Sequence, residues 1–593
     1  ARATGVGRFR ADRGVALNPQ LRVCRAVGFP RVPPDRLRRY SDTTDRRPAM
    51  PAPPHANDHQ VVVAIDLGTH GTGFGWAEVS ALNKDLTTRA IHFEKRWRDV
   101  DYPKNLSALL LDPSGAVAAW GYEAKSEWEE RLSQQSDGWG YTYAFKMALK
   151  PGAGPDVSTA RGAVDLSDIE TVVRLVGEYL TRIKDKALAE IGISQYRLDH
   201  VRWCITVPAI WNDAERDLVR RAAGLAGIPN DDHNLLIAVE PEAAALFCSI
   251  RLTHVLDAHG NEDLLELRSD GTRFMVVDCG GGTVDLTAHR TSRTLGGEIR
   301  LTDIGLPTGG KLGSEYVNHA FRTITLAARL GQDTVARLER ECPAAMLALI
   351  DAWEAAKTTL RAELDGTGGA RITSRVRILL PHEIVERLDA DALRRVKEAS
   401  GGFEGRIVME PQEVQALLDG VVDEIMERIE QQLIEMRRVT ERIGGEVLLL
   451  VGGFARSEYL RHRVRAQFAE RVTVMAPPDP AIAVLFGAVH YCYDPSYIRS
   501  RRAKLTYGFS ISYPFETGVD PVEKRYKDDE GNVLCSGRFE IAVRNGEAVE
   551  VDEPYYLPVY PVMADQQVIP VRFFATGGAR PPLRRRSRER ADR

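Results

Sequence analysis

Cysteine is scarce and scattered in this chain of 593 residues: Cys24, Cys204, Cys248, Cys279, Cys342, Cys492 and Cys535, with no CxxC pair and no accompanying His at ligand spacing. That pattern gives neither a zinc signature nor a secreted disulfide framework, and a reducing, intracellular compartment fits it best. No run of about 18 apolar residues occurs, so a membrane-spanning helix is not expected. Glycine turns are present, but a GxGxxG opening directly into a helix is missing, and no turn is followed by Gly-Lys-Ser/Thr. Those two absences set aside the Rossmann and P-loop routes to nucleotide binding.

Strong charge of one sign is also missing overall, with a net charge of −4, but the distribution is uneven. Twelve Arg and four Asp give residues 1–50 a charge of +8, and seven Arg against Glu589 and Asp592 give residues 580–593 +5. Residues 51–579 are left with −17, so a large nucleic-acid surface and a specific nucleic-acid partner are not expected there. The Arg-rich ends could touch nucleic acid or anionic lipid; the simpler reading is a solvated, unfolded segment. Residues 1–58 resemble a transit peptide in their Arg excess, whereas Met50 offers a simpler start of translation. A cytoplasmic location is expected, with nuclear and mitochondrial destinations left open.

What is present is a strand, turn and helix texture from residue 59 onward. VVVAIDLGTHGTGFGWAEV reads as two strands joined by a Gly/Thr turn. Apolar residues at three-to-four spacing predict helices near 167–190 and 412–438, and NDAERDLVRRAAGLAG predicts one over 212–227 capped by Asn212 or Asp213. Strands are expected at 203–210 and 446–454. RFMVVDCGGGTVDLTAH (273–289) repeats the opening unit, which suggests an internal duplication. Short alternating runs over 500–575 predict a small β-rich appendage.

Two glycine turns carry the chemistry. Asp66 at a strand end is followed by Gly68, Thr69, Gly71 and Gly73, and Asp278 by Gly280, Gly281, Gly282, Thr283 and Asp285. Glycines let the backbone turn so that N–H groups and a Thr hydroxyl face phosphate oxygens, while the carboxylates stand where a hydrated Mg²⁺ would lie. Either turn alone is compatible with a plain hairpin; the coincidence of both points to a phosphate clamp. Gly452 and Gly453 close a third strand and allow a base or ribose close to the backbone, or simply pack a helix start.

Together these motifs resemble the two phosphate loops and adenosine loop of the actin-like ATPase superfamily. Finer matches are to the 70-kDa heat-shock proteins: ITVPAIWNDAERDLVRRAAGLAGI (205–228) with AVEPEAAALF (238–247), GGKLGSEYVNHAF (309–321), WEAAKTTL (353–360) and PPDPAIAVLFGAV (477–489). The resemblance spans roughly 60–490 in order. It implies an α/β fold of two duplicated, RNase H-like lobes, with an Arg/Pro-rich extension at 1–58, lobe I at 59–270, lobe II at 271–495, a β-rich appendage at 496–576 and an Arg-rich tail at 577–593. It also implies ATP or ADP with Mg²⁺. Lys146 would be the catalytic lysine; Glu240, Asp278 and Asp285 would position metal-bound or attacking water, with Asp66, Asp278 and Asp285 as the metal set. Thr69, Thr283 and the turn glycines Gly68, Gly280, Gly281 and Gly282 would hold phosphate, and Glu354, Lys357, Gly452, Gly453, Arg456 and Asp479 would frame the nucleoside.

Departures accompany the matches. His70 and Gly71 replace a Thr and an aromatic residue, and His70 could tune phosphate binding or be an inert loop residue. Thr358 stands where the family has an adenine-stacking Arg, and Phe454 where a small polar residue is usual. The acidic interdomain linker is replaced by PSYIRSRRAKLTYGF (495–509), and the tail is far shorter than a peptide-binding domain with its lid. That tail resembles the divergent, lid-less heat shock 70 kDa protein 12 branch. The expected function is a slow Mg-dependent ATPase whose lobe closure controls a polypeptide client, co-chaperone or other regulatory partner. A nucleotide-binding scaffold with little hydrolysis is the alternative, and a small-molecule kinase of the superfamily fits the segments less well.

Overall fold

The computed structural model describes residues 59–551 and 572–577, apart from 87, 133–137, 151–158, 163, 193–195, 252–254, 257–261, 264–266, 268, 295–298 and 366–368. The readings of both Arg-rich ends therefore lie outside the described residues. The chain is mixed α/β and divides into two compact units, one over His59–Arg502 and one that takes in Ala503 onward.

The first unit is built on two sheets with the same pattern of pairings. In the first, Val61–Asp66 and Gly71–Glu78 form an antiparallel hairpin, while Val201–Val207 and then Leu235–Val239 add in parallel beside Val61–Asp66. His92–Phe93 pairs antiparallel on the other side of the hairpin. In the second, Arg273–Cys279 and Val284–Arg293 form the hairpin, Glu446–Val451 and then Thr473–Met475 add in parallel, and Ile299–Asp303 pairs antiparallel. Val61–Asp66 and Arg273–Cys279 are buried along their whole length, as strands covered on both faces must be.

Helices supply those covers. Ile169–Ile191 starts at Asp168, whose side chain accepts from the Thr171 amide, and it buries Val172, Val173, Val176 and Leu180 in the first core. Asp213–Leu225 carries a full capping box, with Asn212 and Glu215 each satisfying the other's backbone. Pro411–Thr440 lays Val414, Leu417, Leu418, Ile425 and Ile429 into the second core. The predicted strands at 203–210 and 446–454 end earlier, at Val207 and Val451, because Pro208 cannot donate to a ladder and Gly452 turns the chain.

Two helices stand between the sheets. Ala483–Tyr493 packs on Val61–Asp66 and Glu240–Arg251 packs on Arg273–Cys279, and the two helices lie against each other. Their approach is so close that a side chain at Gly487 would overlap the Ala243 backbone. Each hairpin turn is thus held at the same end of its sheet, beside this helix pair.

In the second unit, Arg525–Lys527, Val533–Val543, Thr506–Pro514 and Arg572–Thr576 form a four-stranded antiparallel sheet in that order. Phe509, Cys535, Phe539 and Val543 are among its buried side chains.

Candidate functional site

The hairpin pairing brings the two glycine turns face to face. A Cβ added at Gly281 would lie 3.1 Å from the His70 Cβ, and one at Gly282 would lie 2.5 Å from both Thr69 Oγ1 and Met147 Sδ. Neighbouring segments fix each turn. The Ser107 hydroxyl donates to the Gly68 carbonyl at 2.7 Å, and the Ser107 amide donates to the His70 carbonyl at 2.9 Å. In the second turn the carbonyls of Gly280, Gly281 and Gly282 accept from the amides of Ser314, Glu315 and Gly313 at 3.1, 2.9 and 3.3 Å. Thr69 and Thr283 are both buried.

Four carboxylates and two ammonium groups gather behind the turns. Lys146 is buried, lies two residues after Ala144 in a left-handed conformation (φ 56°), and donates to Glu240 Oε1 at 2.6 Å, with the Trp211 ring 5.5 Å away. Asp66 Oδ2 lies 2.6 Å from the Lys104 ammonium, and its Oδ1 accepts from the Thr206 hydroxyl at 3.1 Å. Asp285 Oδ1 accepts from the Ile210 amide at 2.9 Å. Asp278 is buried and accepts no hydrogen bond among the described residues. Burial, then the neighbouring Glu240, Asp285 and Asp66 charges, push the Asp278 carboxyl well above the usual range. Burial likewise raises Glu240, against the pull of Lys146 and with help from Asp66 and Asp285.

The third glycine pair adjoins this cluster. Gly452 takes φ +86°, and a Cβ there would collide with Asp278 Oδ1 and the Cys279 carbonyl, so only glycine fits. Its amide donates to the Pro480 carbonyl at 2.9 Å. Gly453 faces the Tyr102 hydroxyl, 3.6 Å from an added Cβ. Arg456 and Asp479 are both exposed, and Asp479 accepts from the Ala481 amide at 3.3 Å.

Glu354 and Lys357 belong to a different group. Lys357 Nζ lies 2.6 Å from Glu354 Oε2 and donates to Asn318 Oδ1 at 2.9 Å, while Asn318 Nδ2 donates to Glu315 Oε2 at 2.9 Å. Glu315 then reaches the first turn: its Oε1 is 3.1 Å from His70 Nδ1 and accepts from the Tyr143 hydroxyl. Tyr143 is itself 2.7 Å from His70 Nδ1. Burial alone would lower the His70 pKa; its bond to Glu315 outweighs that and holds it above the ordinary value. The same pairing outweighs the effect of burial on Glu315 and holds it low. His70 is therefore a bridge between the two hairpin systems.

Among the described residues no three His, Cys, Asp or Glu stand close enough together to hold a metal ion. Asp66 Oδ2 faces the Lys104 ammonium and Asp285 Oδ1 accepts a backbone amide, so the residues named for a metal do not gather into a directly ligating set. Lys104, Ser107, Tyr143 and Glu315 are the site residues that motif reading passed over. Only Glu315 carried a signal, its place in the GGKLGSEYVNHAF segment.

No family model matches the chain. It is 31% identical over 577 residues to heat shock 70 kDa protein 12B of Homo sapiens, an alignment covering 87% of this chain and 80% of that protein. It is 28% identical over 570 residues to heat shock 70 kDa protein 12A of Mus musculus, covering 87% and 81%. A more distant likeness, 25% over 452 residues, is to chaperone protein HscA of Escherichia coli, covering 74% of this chain and 58% of that one.

Proposed function

Because the chain belongs to the 70-kDa heat-shock protein family, we propose that the seam between its two hairpin turns binds ATP or ADP and hydrolyses ATP slowly. The observation that carries this reading is the meeting of the two Asp-Gly-Thr turns over the buried Lys146–Glu240 pair. The first unit then comprises two duplicated, actin-like lobes, 59–270 and 271–495, and the residues from 496 to 576 form the appendage that responds to their closure.

In this mechanism the turn amides and the Thr69 and Thr283 hydroxyls cradle the phosphate chain. Water attacks the γ-phosphate, the bond to the β,γ-bridging oxygen breaks, and ADP and inorganic phosphate leave. Glu240, raised by burial toward neutrality, orients that water and accepts its proton. The Lys146 ammonium offsets charge on the transferring phosphoryl group. Mg²⁺ commonly accompanies such nucleotides; here Asp66 and Asp285 already have protein partners, and a hydrated ion would be held beside Asp278. Since the turns touch, phosphate entry must part them, and this would strain the His70–Glu315 bridge and move one sheet against the other. Such closure and opening would govern a polypeptide client or a regulatory partner.

A second reading, a nucleotide-binding scaffold with little hydrolysis, draws support from that same bridge. Phosphate release from ATP without an added acceptor separates them. Slow release that falls about 100-fold or more in Lys146→Ala is expected for the hydrolase. Binding without release would favour the scaffold, and equal release by both proteins would overturn the role of Lys146.

A further inference from the structure

Lys104 stands in the stretch RDVDYPKNL, which has no motif character, yet the fold delivers it to the centre of the seam. The next two residues, Asn105–Leu106, pair with Gly71 and Thr72 and fix the lysine against the first turn. Glycines make its bed. A Cβ at Gly71 would lie 3.2 Å from the Lys104 Cβ, and one at Gly73 would lie 3.2 Å from its Cγ and 2.7 Å from the Pro103 carbonyl. The stem thus lies along the turn and delivers Nζ to within 2.6 Å of Asp66 Oδ2. The side chains of Lys104 and Asp66 are only 14% and 4% exposed.

We propose that Lys104 is the resident counter-cation of this site, standing in for a divalent metal at Asp66 and Asp278, so that a nucleoside polyphosphate binds here without one. The inference rests on the reading of the seam as a nucleotide site. A buried ion pair is a poor stabilising device, because desolvating both charges cancels much of their attraction. Its place at the strand end, between two turns suited to phosphate, gives it another use. A hydrated Mg²⁺ would have to share Asp66 with the ammonium, placing two cations at one carboxylate. Asp66 already pairs with the ammonium through Oδ2 and accepts from Thr206 through Oδ1, so an ion there would have to displace Lys104.

An ammonium supplies one fixed charge and three donors, enough to bond a carboxylate and a phosphate oxygen at once. The ion pair with Asp66 holds that ammonium against the first turn.

The test is calorimetric titration of ATP into the full chain, once in EDTA and once in excess Mg²⁺. The wild-type dissociation constants should agree within about threefold, and Lys104→Ala should weaken binding in EDTA about tenfold or more while Mg²⁺ restores it. Lys104→Arg, which keeps the charge, should still bind in EDTA and covers the case in which the alanine variant fails to fold. Wild-type binding that requires Mg²⁺, or alanine-variant binding in EDTA equal to wild type, would overturn the role of Lys104 alone. No wild-type binding in either buffer would overturn the nucleotide site and the inference with it.

Discussion

The first and second turns share a motif and a pairing scheme but spend their polar groups differently. In the first, Asp66 is ion-paired to Lys104 and accepts from Thr206, and His70 is tied across the seam to Glu315 and Tyr143. In the second, the glycine carbonyls are held by the amides of residues 313–315, whereas Asp278 accepts no hydrogen bond among the described residues. One turn is closed by its own protein; the other keeps its carboxylate uncommitted. Equivalent backbone geometry therefore does not imply equivalent chemistry. Partners delivered from elsewhere in the sequence decide which turn is locked and which is left to respond.

The sharpest way to break that contrast is to make the same change in both turns. Asp66→Asn leaves the Lys104 ammonium buried without its counter-charge, so a loss of about 3–5 kcal/mol in unfolding free energy is expected in denaturant titration. An Asp66→Asn protein as stable as wild type would erase the distinction. Asp278→Asn should act in the opposite direction. Because burial raises the folded-state pKa of Asp278, the wild type loses stability as pH rises from the ordinary Asp range toward that raised pKa. The Asn variant is spared this loss, so its melting temperature should exceed that of wild type by a margin that grows with pH.

A steric change tests how closely the turns meet. Gly282→Ala places a methyl group 2.5 Å from Thr69 Oγ1 and Met147 Sδ, and a cost of about 1–3 kcal/mol is expected in the same titration. A neutral result would mean that the turns already stand apart in solution. The smallest effect is expected from the bridge. His70 has a raised pKa, so its contribution is complete below 6.5 and is lost as pH rises through the folded value. Glu315→Gln should flatten that loss, seen as a smaller fall in melting temperature on the alkaline side of 6.5. An unchanged pH profile would show that the bridge carries no stability.

Much of the frame was legible in the sequence because it rests on local signals. The two Asp-Gly-Thr turns, the capping box at Asn212 and the long apolar face of Pro411–Thr440 are each written within one short segment. The partners were not. Lys104 precedes a two-residue strand, Ser107 follows it, and Tyr143 ends the strand Gly140–Tyr143; none shows a periodicity or spacing that marks it. Their roles arise only when pairing with Gly71–Thr72 and packing of Glu315 across the seam bring distant residues together. His70 is the instructive middle case. The sequence marks it as a departure, but a switch and an inert loop residue look alike until Glu315 is seen beside it.

The most direct test of the central claim is calorimetric titration of ATP and ADP into the wild-type chain and into Thr69→Val and Thr283→Val, one substitution in each turn. If the seam is the nucleotide site, wild type should bind saturably, and each loss of a hydroxyl should weaken binding by about 0.5–1.5 kcal/mol. Absent binding, or binding that neither substitution weakens, would contradict the assignment of the two turns as a phosphate clamp.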